Sequence, residues 1–146
     1  MQSLTGQLDA FFTDYENLFN RSLQQQPDVD SIVKNFADCF VEASPVGINC
    51  GKNDEEFRKQ IPQGYAFYKS IGTRSMSIRS QMTTQLDELH CMTKVDWSAQ
   101  YRKKDGKEAV IDFSVIYFTQ VQHGQPKIFA YITGDEQRVL KEHGLI

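Results

Sequence analysis

The sequence predicts an α+β domain in which a cone-shaped, curved antiparallel sheet wraps around a long N-terminal helix. Three observations support this prediction. Apolar residues recur at steps of three and four before residue 72, they alternate with polar residues after residue 74, and most helical segments precede most strands. Helices gathered on one side of an antiparallel sheet define the α+β class. A long sheet that curls around a helix also encloses a conical cavity.

The first helix is predicted by a one-sided apolar stripe, which ends at the Gln24 to Pro27 segment. The stripe consists of Leu4, Leu8, Phe11, Phe12, Tyr15, Leu18, Phe19 and Leu23. Asp28 can cap a second helix, because a side-chain oxygen at this position accepts from the first free backbone N–H groups. The apolar side of that helix comprises Val29, Ile32, Val33 and Phe36. Residues 36–47 follow as a strand that ends in a Ser-Pro-Val-Gly turn.

A third helix is predicted after a turn at residues 51–54. Asn53, with Glu56 three residues later, has the spacing of an N-cap and its partner. Pro62 lies inside the helical pattern and should kink the helix or split it in two. Gly72 is placed to end it. The inner side of this helix carries Phe57, Ile61, Tyr65 and Tyr68.

The second half of the chain predicts three or four antiparallel strands. The residues that alternate with polar positions are Met76, Ile78, Met82, Leu89, Cys91, Val95, Trp97 and Tyr101. Lys103 to Gly106 contains Asp-Gly, a strong hairpin signal. Strands are then expected over 108–120 and 127–133, with a turn at His123-Gly124 between them. Asp135 can cap a short final helix that ends near Gly144.

Length, charge and cysteine content narrow the class of protein. The 146 residues suit one domain with a real core, so we expect a single domain over residues 1–146. The net charge is −3, without the excess of Lys and Arg that is typical of nucleic-acid-binding proteins. No apolar run has the length of a membrane span. With three widely spaced cysteines and no secretory signal, we expect a cytoplasmic protein with reduced thiols.

Three features of the chain carry a family resemblance. They are the long first helix with an inward Tyr15, the run Asp28-Val-Asp-Ser-Ile-Val-Lys-Asn-Phe-Ala-Asp38 before a strand that ends Pro45-Val-Gly47, and the long strands at the end. In these the chain resembles the nuclear transport factor 2-like superfamily, in particular its SnoaL-like and ketosteroid isomerase branch. The resemblance implies the cone-shaped cystatin-like fold. It implies no single function, because this fold hosts enzymes, ligand binders and interaction modules.

The resemblance to the isomerase also implies positions for catalytic groups. There, a tyrosine on the first helix donates to a developing oxyanion, and Tyr15 matches it. The proton-shuttling carboxylate just before Pro-Val-Gly falls on Ser44, which lacks a carboxylate. The later protonated carboxyl falls near Ser114, with Asp112 two residues before it and therefore on the same strand face. Since two of the three catalytic residues of the isomerase are missing here, ketosteroid isomerase activity is not predicted.

Three residues are the candidates for catalysis: Tyr15, Glu42 and Asp112. Tyr15 is either a core tyrosine or a cavity donor for a carbonyl oxygen. Glu42 shares strand parity with Ser44, so it either faces the cavity, where burial would raise its pKa, or stands in water. Asp112 lies in an otherwise apolar strand, either paired at a sheet surface or placed in the cavity, and the family mapping puts it on the concave side.

Further residues are predicted to contact a ligand. The aromatic-rich inner faces add Phe11, Tyr65 and Trp97, and the resemblance adds Ser44 and Ser114. No cofactor is expected, since no glycine-rich phosphate loop is present. No metal is expected either, because the three histidines lie in separate elements without ligand spacing.

These observations predict a protein that binds an apolar small molecule in a cavity. Acid–base chemistry on an apolar carbonyl compound, as in an isomerase, cyclase or dehydratase, is the enzymatic form of this hypothesis. The alternative is a non-catalytic binding or protein-interaction module of the same fold, including one whose cavity is filled by its own side chains. The strand at 108–120 is apolar on both faces. The family mapping puts Ile116 and Phe118 on the concave side with Asp112 and Ser114, and it puts Phe113, Val115 and Tyr117 on the convex side, whereas helices cover only the concave side. We therefore expect a homodimer that packs through the sheets.

Overall fold

The computed structural model describes residues 2–146 and confirms the predicted α+β class. Its helices and strands, in chain order, are α1 Leu4–Gln24, α2 Val29–Val33, β1 Phe36–Ser44, β2 Gly47–Lys52, α3 Glu55–Ser70, β3 Thr73–Gln85, β4 His90–Arg102, β5 Glu108–Gln122, β6 Gln125–Ile132 and α4 Glu136–Glu142. The order of elements is the predicted one, with β2 as an addition.

The strands form one sheet in the order β2-β1-β6-β5-β4-β3. Neighbouring strands are antiparallel except β1 and β6, which pair in parallel with Val41 opposite Ala130. The sequence predicted only antiparallel pairs, because strands so far apart along the chain give no local sign of their pairing. Register shifts interrupt the β1–β6, β3–β4 and β5–β6 ladders. Such irregularities bend and twist strands, and they accompany the curvature of this sheet.

Helix α1 packs on one side of the sheet, which we call the inner face; the opposite side is the outer face. Ser3 caps the helix by accepting a 3.1 Å hydrogen bond from the Gly6 N–H. Leu8 and Phe12, two residues of the predicted apolar stripe, are fully buried in the core. The strand residues in this core are Cys91, Val95, Trp97, Val115, Tyr117, Val121 and Ile128. The stripe on α1 therefore decides which side of each strand is internal.

Polar side chains of α1 cover the free edge of β3. Asn20 donates from Nδ2 to the Met76 carbonyl and accepts from the Met76 N–H, both at 2.8 Å. Glu16 accepts from the Ile78 N–H. An uncovered edge strand exposes unpaired backbone groups that can recruit another strand. Here one helix satisfies several of those groups while its apolar side fills the core.

Several predicted boundaries are wrong in detail. Residues 47–52 form β2 and complete a hairpin with β1, where a turn at residues 51–54 was expected. Asp54, not Asn53, caps α3 by accepting from the Phe57 N–H. Asn53 instead donates to the carbonyls of Val33 and Phe36, which fixes the α2–β1 junction. Helix α3 continues through Pro62, so the predicted split into two helices does not occur.

Gly72 joins α3 to β3, and the prediction that it ends the helix is confirmed. Its backbone has a φ of +86°, a conformation that favours glycine. A Cβ at this position would lie 2.0 Å from the Arg102 carbonyl oxygen. The close approach is needed because the Gly72 carbonyl accepts a 2.8 Å hydrogen bond from the Arg102 N–H. The predicted 103–106 turn is confirmed by a 2.9 Å bond from the Gly106 N–H to the Lys103 carbonyl.

Truncation of Phe12 tests whether the α1 stripe holds the fold together. Phe12→Ala should lower the free energy of unfolding by about 3–5 kcal/mol, because it leaves a cavity in the core. Phe67→Ala is the matched control, since Phe67 is 37% exposed on α3 whereas Phe12 is 0% exposed. The control should cost about 1 kcal/mol or less. Urea denaturation followed by circular dichroism measures both, and equal losses would contradict the assignment.

Candidate functional site

A cavity of about 300 Å³ lies between the inner face of the sheet and the helices. Its volume is at the lower end of the usual range for small-molecule sites. Aromatic side chains dominate its wall, and the aromatic residues are Tyr15, Phe19, Phe36, Tyr68, Trp97, Tyr101, Phe113, Tyr117 and Tyr131. The protein's own side chains therefore do not fill the cavity.

Tyr15, Trp97 and Tyr117 form one wall of the cavity. Tyr15 belongs to the α1 stripe, while Trp97 on β4 and Tyr117 on β5 point inward. The Trp97 Nε1–H donates a 3.2 Å hydrogen bond to the Tyr117 hydroxyl. The ring of Tyr15 lies 5.9 Å from that of Tyr117 and 6.1 Å from that of Trp97, between centroids. Burial raises the pKa of Tyr15 and Tyr117, so both hydroxyls stay protonated and able to donate.

Three carboxylates line the cavity, and two of them, Glu42 and Glu136, each lie beside a tyrosine. Glu42 on β1 is opposite Tyr131 in the parallel β1–β6 pair and accepts a 3.3 Å hydrogen bond from its hydroxyl. Glu136 in the first turn of α4 lies beside the Tyr68 hydroxyl. Glu136 is exposed when all of its atoms are considered, but protein atoms surround its carboxyl group and partly desolvate it. This desolvation raises the pKa of Glu136. The hydrogen bond with Tyr68 opposes the rise, and the charge of Glu42 adds to it.

Asp112 and Ser114 do not line this cavity, so the predicted concave placement is wrong. Both are exposed on the outer face. Arg79 Nε lies 3.6 Å from Asp112 Oδ1, and the Ser114 hydroxyl donates to Asp96 Oδ1. The physical reason is strand parity: Phe113, Val115 and Tyr117 occupy the inner side. A shift of one residue in the family mapping exchanges the two faces of a strand.

Of the remaining predicted site residues, the cavity brings together Tyr15, Glu42 and Trp97 only. Ser44 accepts a 3.3 Å bond from the Val46 N–H in the β1–β2 turn. Phe11 packs against Phe12, with ring centroids 5.0 Å apart. Tyr65 packs against Phe19 at 5.3 Å, behind the cavity wall.

Sequence reasoning missed Glu136 and the cavity tyrosines other than Tyr15, namely Tyr68, Tyr101, Tyr117 and Tyr131. Tyr68 was on the predicted inner side of the third helix, so its periodicity could have found it. Tyr117 was assigned to the wrong face by the same parity error. Glu136 gave no signal, because an acidic residue in the first turn of a helix is a common feature. Only the fold shows that this carboxyl group meets the cavity.

Two negative findings apply to residues 2–146. None of their helices combines the length and the apolar character needed to cross a membrane. Within the same residues, no three His, Cys, Asp or Glu side chains group in a way that could hold a metal ion.

The chain belongs to the family described as NTF2-like protein (DUF6841), whose model matches residues 6–136. This finding confirms the predicted membership of the nuclear transport factor 2-like superfamily. No curated protein matches the sequence.

Solved structures share the fold at low sequence identity. The beta subunit of benzoate 1,2-dioxygenase from Burkholderia mallei has a TM-score of 0.69 at 14% identity, covering 96% of this chain and 95% of that one. Aln2 from a Streptomyces species has a TM-score of 0.67 at 12% identity, covering 97% and 99%. A ketosteroid isomerase-like protein from Erwinia carotovora atroseptica has a TM-score of 0.61 at 14% identity, covering 86% and 91%. These similarities are to the fold alone.

The tyrosines of the folded protein should resist ionisation. Burial is the first cause of a raised pKa at all six, with values of about 12 for Tyr65 and Tyr101. At about pH 10, phenolate absorbance should therefore be small in the native protein, whereas the urea-unfolded chain should be about half ionised.

The same shifts predict how stability depends on pH. The pKa values of the tyrosines are higher in the folded protein than in the unfolded chain. The stability that the neutral, buried hydroxyl groups contribute is therefore fully present below about pH 10 and is lost as pH rises through the folded pKa values. The melting temperature should fall across that window. A native titration that matches the unfolded one would contradict the buried placement of the hydroxyl groups.

Proposed function

We propose that this protein binds an apolar small molecule in the cavity of its cone. The observation that carries the proposal is the open volume of about 300 Å³ whose wall has nine aromatic residues. Aromatic rings supply apolar contact area, and the hydroxyls of Tyr15 and Tyr117 supply a small number of oriented polar groups. An apolar compound with one carbonyl oxygen matches both features.

The enzymatic form of the proposal is acid–base chemistry on such a carbonyl compound. Glu42 would take a proton from the carbon next to the carbonyl, and the C–H electron pair would enter a new C=C bond. The carbonyl oxygen would become an enolate oxygen that accepts from the Tyr15 hydroxyl. Return of the proton from Glu42, to the same carbon or to a conjugated one, would complete an exchange or an isomerisation. Asp112 takes no part, because it lies on the outer face.

A non-catalytic binding module of the same fold is the second candidate. It is favoured by where the residues that match the catalytic positions of the isomerase lie in the fold. Ser44 is the last residue of β1, next to the turn to β2, and lacks a carboxylate; Ser114 lies on the outer face. Tyr15 alone among those positions lines the cavity.

2-Tetralone, a neutral bicyclic ketone, tests binding and chemistry together. The native protein should bind it with quenching of Trp97, the chain's one tryptophan. It should also accelerate exchange of the ketone's α-hydrogens for deuterium, followed by NMR. Glu42→Gln should reduce this exchange by about 10²–10⁴-fold while binding persists, because only the proton acceptor is lost.

Asp112→Asn is the matched control for the tetralone experiment. It removes a carboxylate from the outer face and should change neither binding nor exchange. Thr133→Phe adds a ring to the cavity wall and should weaken binding. No binding by the native protein would refute the cavity proposal, whereas binding without exchange would leave the non-catalytic module.

We also propose a homodimer formed through the outer faces of two sheets. The ladders of β1, β6 and β5 align an apolar band on that face, and its members are Val41, Ala43, Ile116, Phe118, Ala130 and Ile132. The sequence predicted Phe113, Val115 and Tyr117 on the outer face, but they lie on the inner face. Helices leave the band uncovered, and Ile132 is 43% exposed. A second copy would bury this apolar area.

Light scattering at micromolar protein tests the dimer. The native protein should have twice the 16.8 kDa mass of the chain. Ile132→Glu should yield monomers, since it places two charges in the buried centre of the interface. Val110→Glu is the control, because Val110 is exposed on the outer face away from the apolar band. A native monomer, or equal effects of the two variants, would refute the interface.

The proposed location of this protein is the cytoplasm. Its support is the state of the cysteines: Cys39, Cys50 and Cys91 are all free thiols. Disulfides are rare where thiols are kept reduced.

A further inference from the structure

The charges on the cavity wall all have one sign. Three carboxylates line it, those of Glu42, Asp135 and Glu136, and no Lys, Arg or His of residues 2–146 does. Asp135 is engaged as the cap of α4, where it accepts a 3.1 Å bond from the Arg138 N–H. Glu42 and Glu136 remain, and neither forms an ion pair within the described part of the chain. The cavity therefore has a negative field that no cation among these residues neutralises.

Glu136 is a carboxylate of the cavity wall whose charge acts on three of the cavity tyrosines. Tyr68 lies beside it, and its charge also acts on the hydroxyls of Tyr101 and Tyr131. Its carboxyl group is partly removed from water and is repelled by the charge of Glu42. A crowded carboxylate without a counter-charge is costly. A positive group brought by a ligand would relieve that cost.

The rings of the wall favour the same kind of ligand. The face of an aromatic ring is electrostatically negative, so it attracts cations and repels anions. The rings of Tyr68, Tyr101 and Tyr131 line the same cavity as the Glu136 carboxylate, and the ring of Trp97 lines it as well. Combined aromatic faces and carboxylates are a known means of holding ammonium groups. The rest of the wall is apolar and suits an uncharged body.

We propose that the natural ligand is an organic cation, with a protonated or quaternary amine against Glu136 and an apolar body directed toward Trp97 and Tyr15. This inference deepens the proposed binding function and rests on it. It excludes carboxylates and phosphates as ligands, because the described cavity wall offers them no cation. Glu42 remains available as the proton acceptor, since the amine is assigned to Glu136.

Three probes that differ only in their terminal group test the preference for a cation. They are 4-phenylbutylamine, 4-phenylbutan-1-ol and 4-phenylbutanoate, measured at neutral pH by quenching of Trp97. The amine should bind the native protein about tenfold more tightly than the alcohol, a difference that one added charge interaction can supply. The carboxylate should bind more weakly than the alcohol.

Glu136→Gln assigns the preference to one side chain. It should remove most of the amine's advantage while the alcohol keeps its affinity, and that retained affinity also shows that the variant is folded. Glu142→Gln is the matched control on the same helix, because Glu142 pairs with Arg138 at 2.9 Å and lies outside the cavity. It should leave the order of the three probes unchanged.

The outcomes separate this inference from the proposed function. Equal affinity of amine and alcohol, or tighter binding of the carboxylate, would refute the cationic ligand and leave the binding cavity intact. An amine preference that survives Glu136→Gln would refute the assigned contact. Absence of binding by all three probes, at concentrations where 2-tetralone also fails, would refute the cavity and this inference together.

Discussion

The packing of α1 on the inner face of the sheet is the interaction on which the rest of this structure depends. Leu8 and Phe12 bury the apolar stripe against β4 and β5, and the same contact fixes which face of each strand is internal. Asn20 pairs with the backbone of Met76, so the helix also fixes the position of the edge strand. Because the stripe continues to Tyr15 beyond the tightly packed core, the helix that holds the fold also forms a wall of the cavity.

The parallel pairing of β1 and β6 positions carboxylates at the cavity. It sets Glu42 opposite Tyr131, and β6 then leads through a short segment to α4 and Glu136. Two carboxylates that lie far apart in the sequence thereby reach one cavity whose wall is largely aromatic. For the ligand that we propose, the aromatic wall would provide apolar contact at little entropic cost and the carboxylates would provide polar selectivity. Binding, proton transfer and a preference for cations are three proposed uses of this one arrangement.

The two faces of the sheet have separate roles because β-strands alternate. On β5, Phe113, Val115 and Tyr117 serve the core and the cavity, while Ile116 and Phe118 contribute to the apolar band outside. Asp112 meets Arg79 at the outer face, where a partly exposed ion pair has little energetic value. The family resemblance implied an acid near this position inside the cone. In this chain the acids of the cavity come from β1 and α4 instead.

The sequence alone was enough to predict the types and order of all elements except β2, the α1 stripe and the turns at Gly72 and Gly106, because period, caps and glycine conformations are local properties. It also placed Tyr15, Glu42 and Trp97 among the candidates. The tertiary structure alone decided that Asp112 faces outward, since alternation defines two faces without saying which is covered. It alone paired β1 with β6 and brought Glu136 to the cavity, because contacts between distant segments arise from burial of the whole core and leave no periodic trace in either segment.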